Sequence, residues 1–488
     1  MSNGFALGHA VAPTPACAAS PMRPVRQKAP FAPLALALLA ASLAGCTMAP
    51  KYQRPPAPIP NTYVYGSTAE GTLPAWKNYF NDPALQGLIS LALANNRDLR
   101  VAMLHVEKTR QQYRIRQADL LPTINGVAQE TVQSLPADLS PTHTSTITRQ
   151  YSATLGFSAF ELDLFGRIRS LSDQAVETHY SVEQDARTAQ LTLVAEVAGL
   201  YYQLVADKET LGLMQATMQN REQHLGLMQK RNATGVASAM DLSQAKVAYE
   251  EARSGLARAK TTVAKTENAL ALLLGTSIPA NVNLPASFAD AKKLPNVPAG
   301  LPSSLMERRP DILAAEHRLK GSNANIGAAR ANFFPRIMLT GALGTMSTEY
   351  TNLFTGVQQG WNFLPQISMP LFDTGRNIAT LGVAGEEKKI AVAQYEKTIQ
   401  AAFREVADAL AQRQEMGTII SAEEERAKAA RQNFDLANER YKAGVDNHLV
   451  LLDAQRTYLA SRQNLIATYL LRESNNLSLY KSLGGGWQ

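Results

Sequence analysis

The chain has 488 residues: 45% are hydrophobic, 18% charged and 7% aromatic, with 25 prolines, two cysteines and a formal charge of +7. This composition excludes a disordered polyelectrolyte, and the length allows about three domains. Arg23, Arg26 and Lys28 supply three positive charges from a leader without acids. That leaves 45 basic against 41 acidic residues and no basic cluster of the kind a nucleic-acid binder concentrates on one face. After residue 45 no run of eighteen apolar residues occurs, so no transmembrane helix is expected there.

Residues 31–45, FAPLALALLAASLAG, are apolar, too short to span a bilayer and preceded by three cations, which is the layout of a secretory signal. The stretch ends in Leu43-Ala44-Gly45-Cys46, which resembles the bacterial lipobox, where cleavage exposes a cysteine that is then acylated. In that pattern an Asp after the cysteine retains the protein at the inner membrane, so Thr47 implies the outer one. Met22-Arg23-Pro24-Val25-Arg26 reads as a better translation start than Met1. With Cys17 lost in the leader and Cys46 acylated, no thiol is left for a disulfide or zinc site. Residues 46–81 follow as a tether, with 49–58 too proline-rich for helix or central strand.

The remainder repeats. Asn96-Arg97-Asp98-Leu99 recurs as Arg309-Pro310-Asp311-Ile312, and Ala118-Asp119-Leu120-Leu121-Pro122 as Ala331-Asn332-Phe333-Phe334-Pro335. Phe165-Gly166-Arg167 then matches Thr374-Gly375-Arg376, Gly235-Val236 matches Gly444-Val445, and Leu274-Gly275 matches Leu483-Gly484. The chain is therefore expected to be two copies of one unit, 82–290 and 303–488, joined by a linker at 291–302.

Each unit reads helix, strand pair, very long helix, turn, long helix. Residues 167–232 and 376–442 lack proline and are rich in strong helix formers, so each is expected to run about 100 Å. Val197, Leu204, Leu211, Met218 and Leu225 recur every seven residues with Leu200, Met214 and Met228 beside them, a coiled-coil seam interrupted at Asp207 and Arg221. Gly235 and Gly444 suit the left-handed position that ends a helix, so the helices at 238–274 and 447–483 are expected to return antiparallel.

The expected strands lie at 123–133, 151–163, 336–347 and 361–371, joined in pairs by loops 134–150 and 348–360. Tyr151, Ala153, Leu155, Phe157 and Ala159 share one face of the second, and Trp361, Phe363, Ile367, Met369 and Leu371 one face of the fourth. Strands of this length can cross a bilayer at a tilt; a small sheet packed on the helices is the soluble alternative. Four strands cannot close a membrane barrel, so several chains must share one, eight strands in a dimer or twelve in a trimer.

The lipobox, the repeats, Leu164-Phe165-Gly166-Arg167, Phe372-Asp373-Thr374-Gly375-Arg376, Thr234-Gly235-Val236 and Leu451-Leu452-Asp453-Ala454-Gln455-Arg456 together resemble the TolC-like outer-membrane efflux factors, lipoprotein branch. The resemblance implies a mainly α fold with a membrane β-barrel portion, in which a homotrimer forms a twelve-strand barrel and a twelve-helix periplasmic tunnel. It implies a passive exit duct in the outer membrane, coupled through a periplasmic adaptor to an inner-membrane resistance-nodulation-division transporter, with no cofactor beyond the lipid on Cys46. It further implies a periplasmic gate at the helix-helix turns, onto which Tyr441, Asp453, Arg456 and Asp241 fall. Val450 and Asp446 replace an aspartate and an arginine found there in some relatives.

An enzyme is disfavoured by the lack of H-E-x-x-H, G-x-x-x-x-G-K-[ST] and G-x-S-x-G motifs. The remaining alternative is an ungated porin or a structural lipoprotein. The cargo is not encoded in any motif, and no His-, Met- or Cys-rich tract suggests a metal.

Overall fold

In the computed structural model the described residues are 47–485, apart from 66–72, 142, 281, 299, 301–303 and 357. Cys46, the leader and both candidate start sites lie outside them. The elements are α1 (Trp76–Tyr79), α2 (Pro83–Asn95), α3 (Arg97–Ala118), β1 (Asn125–Leu135), β2 (Thr146–Leu162), α4 (Arg167–Ala233) and α5 (Ala239–Leu274). The second half supplies α6 (Leu305–Arg308), α7 (Pro310–Ala331), β3 (Arg336–Ser347), β4 (Gln359–Ser368), α8 (Arg376–Lys442) and α9 (His448–Ser482). The halves match in kind and size: α3 and α7 each have 22 residues, and α4 and α8 each have 67.

Both long helices begin after a left-handed glycine, Gly166 (φ 73°) and Gly375 (φ 84°). Each ends in a Schellman turn. Gly235 N–H donates to Asn232 O and Val236 N–H to Arg231 O, and Gly444 and Val445 repeat this on Tyr441 and Arg440. The return helices start with side-chain caps: Ser238 in a reciprocal capping box with Asp241, and Asn447 accepting from Val450 N–H.

The long helices share one principal core partway along their length, where Val197, Tyr201, Leu204, Tyr395, Ile399 and Val406 meet the ends of α5 and α9. Tyr79 stacks on Tyr480 with ring centroids 4.0 Å apart, and Tyr201 donates to Asp82 at 2.6 Å. The stretch 46–81 is therefore more than a tether: its end forms α1 and plugs this core. The linker is also bound in, since Leu294 and Val297 are buried and Arg413 donates to Val297 O at 2.6 Å. Asp207 and Arg221 do not interrupt the seam but lie buried within it. Thr266 and Gln203 donate to Asp207 at 2.7 and 2.9 Å, which satisfies its carboxylate.

The four strands form one antiparallel sheet in the order β1-β2-β3-β4. β2 begins five residues earlier than expected, and β4 ends at Ser368, so Met369 and Leu371 lie beyond it. The face shared by Tyr151, Ala153, Leu155 and Phe157 does not continue to Ala159. The register with β3 shifts between Phe157 and Phe160, and Ala159 takes φ 52°. This is a bulge that re-aims the strand toward α4.

Candidate functional site: membrane sheet and helical tip

Register decides what each face of the sheet presents. Leu155, Leu343 and Trp361 lie side by side across three strands, and Phe157, Gly341 and Phe363 form the next row on the same face. Leu155, Leu343, Trp361, Phe363 and Ile367 are exposed on this chain. Thr154, Thr340, Asn362 and Gln366 belong to the opposite face. The first face carries the bulkier apolar row and the second mixes these polar residues with Val127, Met346 and Leu364; with strands of 10 to 17 residues, such a sheet can separate lipid from an aqueous lumen. No helix among the described residues is long and apolar enough to cross a membrane, which says nothing of these strands.

At the sheet's helical border the N-terminal strap is docked along α7, running opposite to it. Arg330 donates to Met48 O at 3.2 Å, Asn323 to Pro50 O at 2.6 Å, and Tyr52 and Arg54 both donate to Glu316. Arg54 binds the Glu316 carboxylate through two nitrogens, at 3.1 and 2.6 Å, and Lys320 lies 3.4 Å away. Burial pushes the Glu316 carboxyl up, but Arg54, Lys320 and Tyr52 outweigh it, and the net shift is down. Gly327 permits the close approach: a Cβ there would sit 2.7 Å from Ala49 N. Thr47 thereby lies beside Ser170, near the start of α4, with their hydroxyls 3.4 Å apart.

The opposite ends of the long helices hold the other expected site residues. Asp453 and Arg456 are exposed on α9, and neither has an ion-pair partner among the described residues. Asp453 does not cap the helix, since Asn447 does. Asp241 is engaged by Ser238, whose N–H and hydroxyl donate to its carboxylate at 3.1 and 2.7 Å; those bonds hold its carboxyl below the usual range. Tyr441 reaches across to the first hairpin and donates to Met228 Sδ at 3.7 Å. So Tyr441 joins the two hairpins, while no hydrogen bond or ion pair links Asp241, Asp453 and Arg456 among the described residues.

Three features at this tip escaped the sequence reading. Arg440 clamps Asp446 across the second turn at 2.6 and 2.9 Å, which holds the Asp446 carboxyl below its usual range. The signal was present: opposite charges six residues apart around Ala443-Gly444. Arg221 is buried, and burial lowers its pKa. His224 and His448 stack with ring centroids 4.4 Å apart and planes 13° from parallel. Among the described residues, no group of three or more His, Cys, Asp or Glu is placed to hold a metal ion.

A family model described as outer membrane efflux protein matches residues 88–276 and 301–485. The chain belongs to the outer membrane efflux protein family. It is 46% identical over 462 residues to the probable efflux pump outer membrane protein TtgC of Pseudomonas putida, covering 93% of this chain and 95% of that one. It is 42% identical over 455 residues to the outer membrane protein OprJ of Pseudomonas aeruginosa, covering 92% and 95%. Among solved structures, it resembles a membrane protein from Pseudomonas aeruginosa with TM-score 0.85 at 43% identity, covering 91% of this chain and 98% of that one. It also resembles the open state of the MtrE outer membrane channel of Neisseria gonorrhoeae, with TM-score 0.82 at 35% identity, covering 91% and 99%. This efflux protein is accordingly an outer-membrane channel component, the exit duct of an efflux pump.

Proposed function

We propose that three copies of the chain share one twelve-strand barrel and one helical tunnel, and that the duct is passive, anchored by lipid on Cys46 and closed at its periplasmic tip until a pump engages it. The open sheet is the observation that carries this reading. β1 and β4 are both edges, and in lipid their backbone amides need partners that only another copy can supply. The strap supports the anchor, because it delivers residue 47 to the helix ends that border the sheet. A periplasmic adaptor and an inner-membrane resistance-nodulation-division transporter would supply the energy. Relatives are named for toluene, solvent and antibiotic efflux, which favours small organic compounds as cargo here.

The exposed, unpartnered Asp453 and Arg456 are placed to act between copies around the aperture, while Tyr441 ties the two hairpins within one copy. Exposed polar links are worth about 0–1 kcal/mol each, and a threefold ring breaks three at once. Asp453→Ala with Tyr441→Phe is therefore expected to raise the open fraction about tenfold to a hundredfold in planar bilayers, and to abolish the response to divalent cations. Wild-type protein that already conducts fully, and is indifferent to both changes, would favour the ungated porin.

A further inference from the structure

His224 lies on α4 about two and a half turns before the first hairpin turn, and His448 is the first residue of α9, just after the second. Their stack is therefore a contact between the two hairpins at the tip. Tyr441 completes it from α8, with its ring 5.7 Å from His224 and 5.8 Å from His448. His448 is only 6% exposed. Neither of its ring nitrogens has a hydrogen-bond partner among the described residues, nor does His224 Nε2.

We propose that His224 and His448 form a proton-sensitive latch, which holds the hairpins together while both rings are neutral and releases them when the rings are protonated. The proposal rests on reading the tip as a gate. Neutral imidazoles can stack face to face, whereas two imidazolium rings at this spacing repel each other, and three of their four ring nitrogens have no acceptor among the described residues. The surrounding charge favours the neutral form. Arg221 and Arg231 face the pair from α4, and the amino end of α9 adds the positive pole of a 35-residue helix at His448. Arg456 lies within electrostatic reach of Arg221, opposed by Glu251 of α5. Asp241 of α5 is the acid that faces His448, and its carboxylate is already bonded to Ser238.

Burial, then the neighbouring imidazole, then Arg221 and Arg231 push His224 down to about 4. Burial and Arg221 push His448 down, against the upward pull of Asp241. Once the hairpins part and water reaches the rings, each returns to its ordinary value of about 6.5. The sign follows. The latch is at full strength above about pH 6.5 and weakens as pH falls from there toward about 4, because protons bind the separated rings more tightly. His224 then favours the open tip by up to about tenfold per pH unit in that window, and His448, also lowered, acts in the same direction.

The test is single-channel recording of the purified full-length protein in planar bilayers with chelator on both sides, at pH 7.5, 6.5 and 5.5. Wild-type open probability should rise at least about fivefold between pH 6.5 and 5.5. His224→Phe with His448→Phe, which keeps stacked rings but cannot titrate, should be flat. If that pair fails to assemble, His224→Gln and His448→Gln singly should each reduce the pH slope. A wild type closed at every pH, or a slope that survives these substitutions, overturns the latch and leaves the gate intact. A wild type already open at pH 7.5 and indifferent to Asp453→Ala with Tyr441→Phe overturns the gate reading, and the latch with it.

Discussion

Glu316 shows how a single buried carboxylate can place a whole segment. Its side chain is 4% exposed and is held by Arg54, Tyr52 and Lys320, so the strap stays on α7 only while that charge is balanced. Glu316→Gln keeps the shape but removes the charge that Arg54 pairs with, and half-exposed Arg54 limits the loss to about 1–3 kcal/mol. Trypsin should then cut faster after Lys51, measured by mass spectrometry of the released peptide; unchanged protection would show that the strap is held elsewhere. Docking should also be complete above about pH 4.5 and fade as pH falls below it, because the Glu316 carboxyl is held below its unfolded value. At the strap's far end, Cys46→Ala should abolish lipid labelling and leave precursor or released protein, with the barrel retaining part of the attachment. Lipid labelling that persists in Cys46→Ala would refute the anchor.

At the scale of elements, the two halves use one plan with different details. The sequence made the plan legible, because helix length, turn glycines and strand alternation are local properties. Gly235 and Gly444 take the left-handed positions that their motifs require, and the 67-residue helices begin at Arg167 and Arg376 as expected. What the sequence did not reveal depends on partners far along the chain. The strap looked free because Glu316 lies more than 260 residues from Arg54. The histidine stack was hidden because its members fall at unrelated positions in the two repeats, 224 residues apart. The bulge at Ala159 is set by the pairing of β2 with β3, which alternation alone does not encode. Capping distinguishes the two hairpins. Asp241 belongs to a reciprocal box that the second hairpin lacks, since Asn447 caps α9 alone. Ser238→Ala should therefore fray the start of α5 by about 0.5–2 kcal/mol, seen as faster amide exchange over residues 239–243. Exchange unchanged from wild type would mean that neighbouring helices, and not the cap, hold that end.

At the scale of the whole molecule, the proposed trimer would complete both the open sheet and the exposed Asp453 and Arg456 for the same physical reason, by bringing partners from other copies. β1 and β4 end the sheet with unpaired edges, and Asp453 and Arg456 are exposed with no ion-pair partner among the described residues. Phe157 and Ile367 share the apolar face of the sheet, so Phe157→Arg or Ile367→Arg should cost about 2–4 kcal/mol at mid-bilayer and impair insertion. A normal yield of membrane-inserted protein from both variants would place that face away from lipid. The most direct test of the shared barrel is native mass spectrometry of the wild-type protein extracted from outer membranes in mild detergent. Three copies of the chain per particle are expected; a stable, membrane-inserted monomer would contradict the shared barrel.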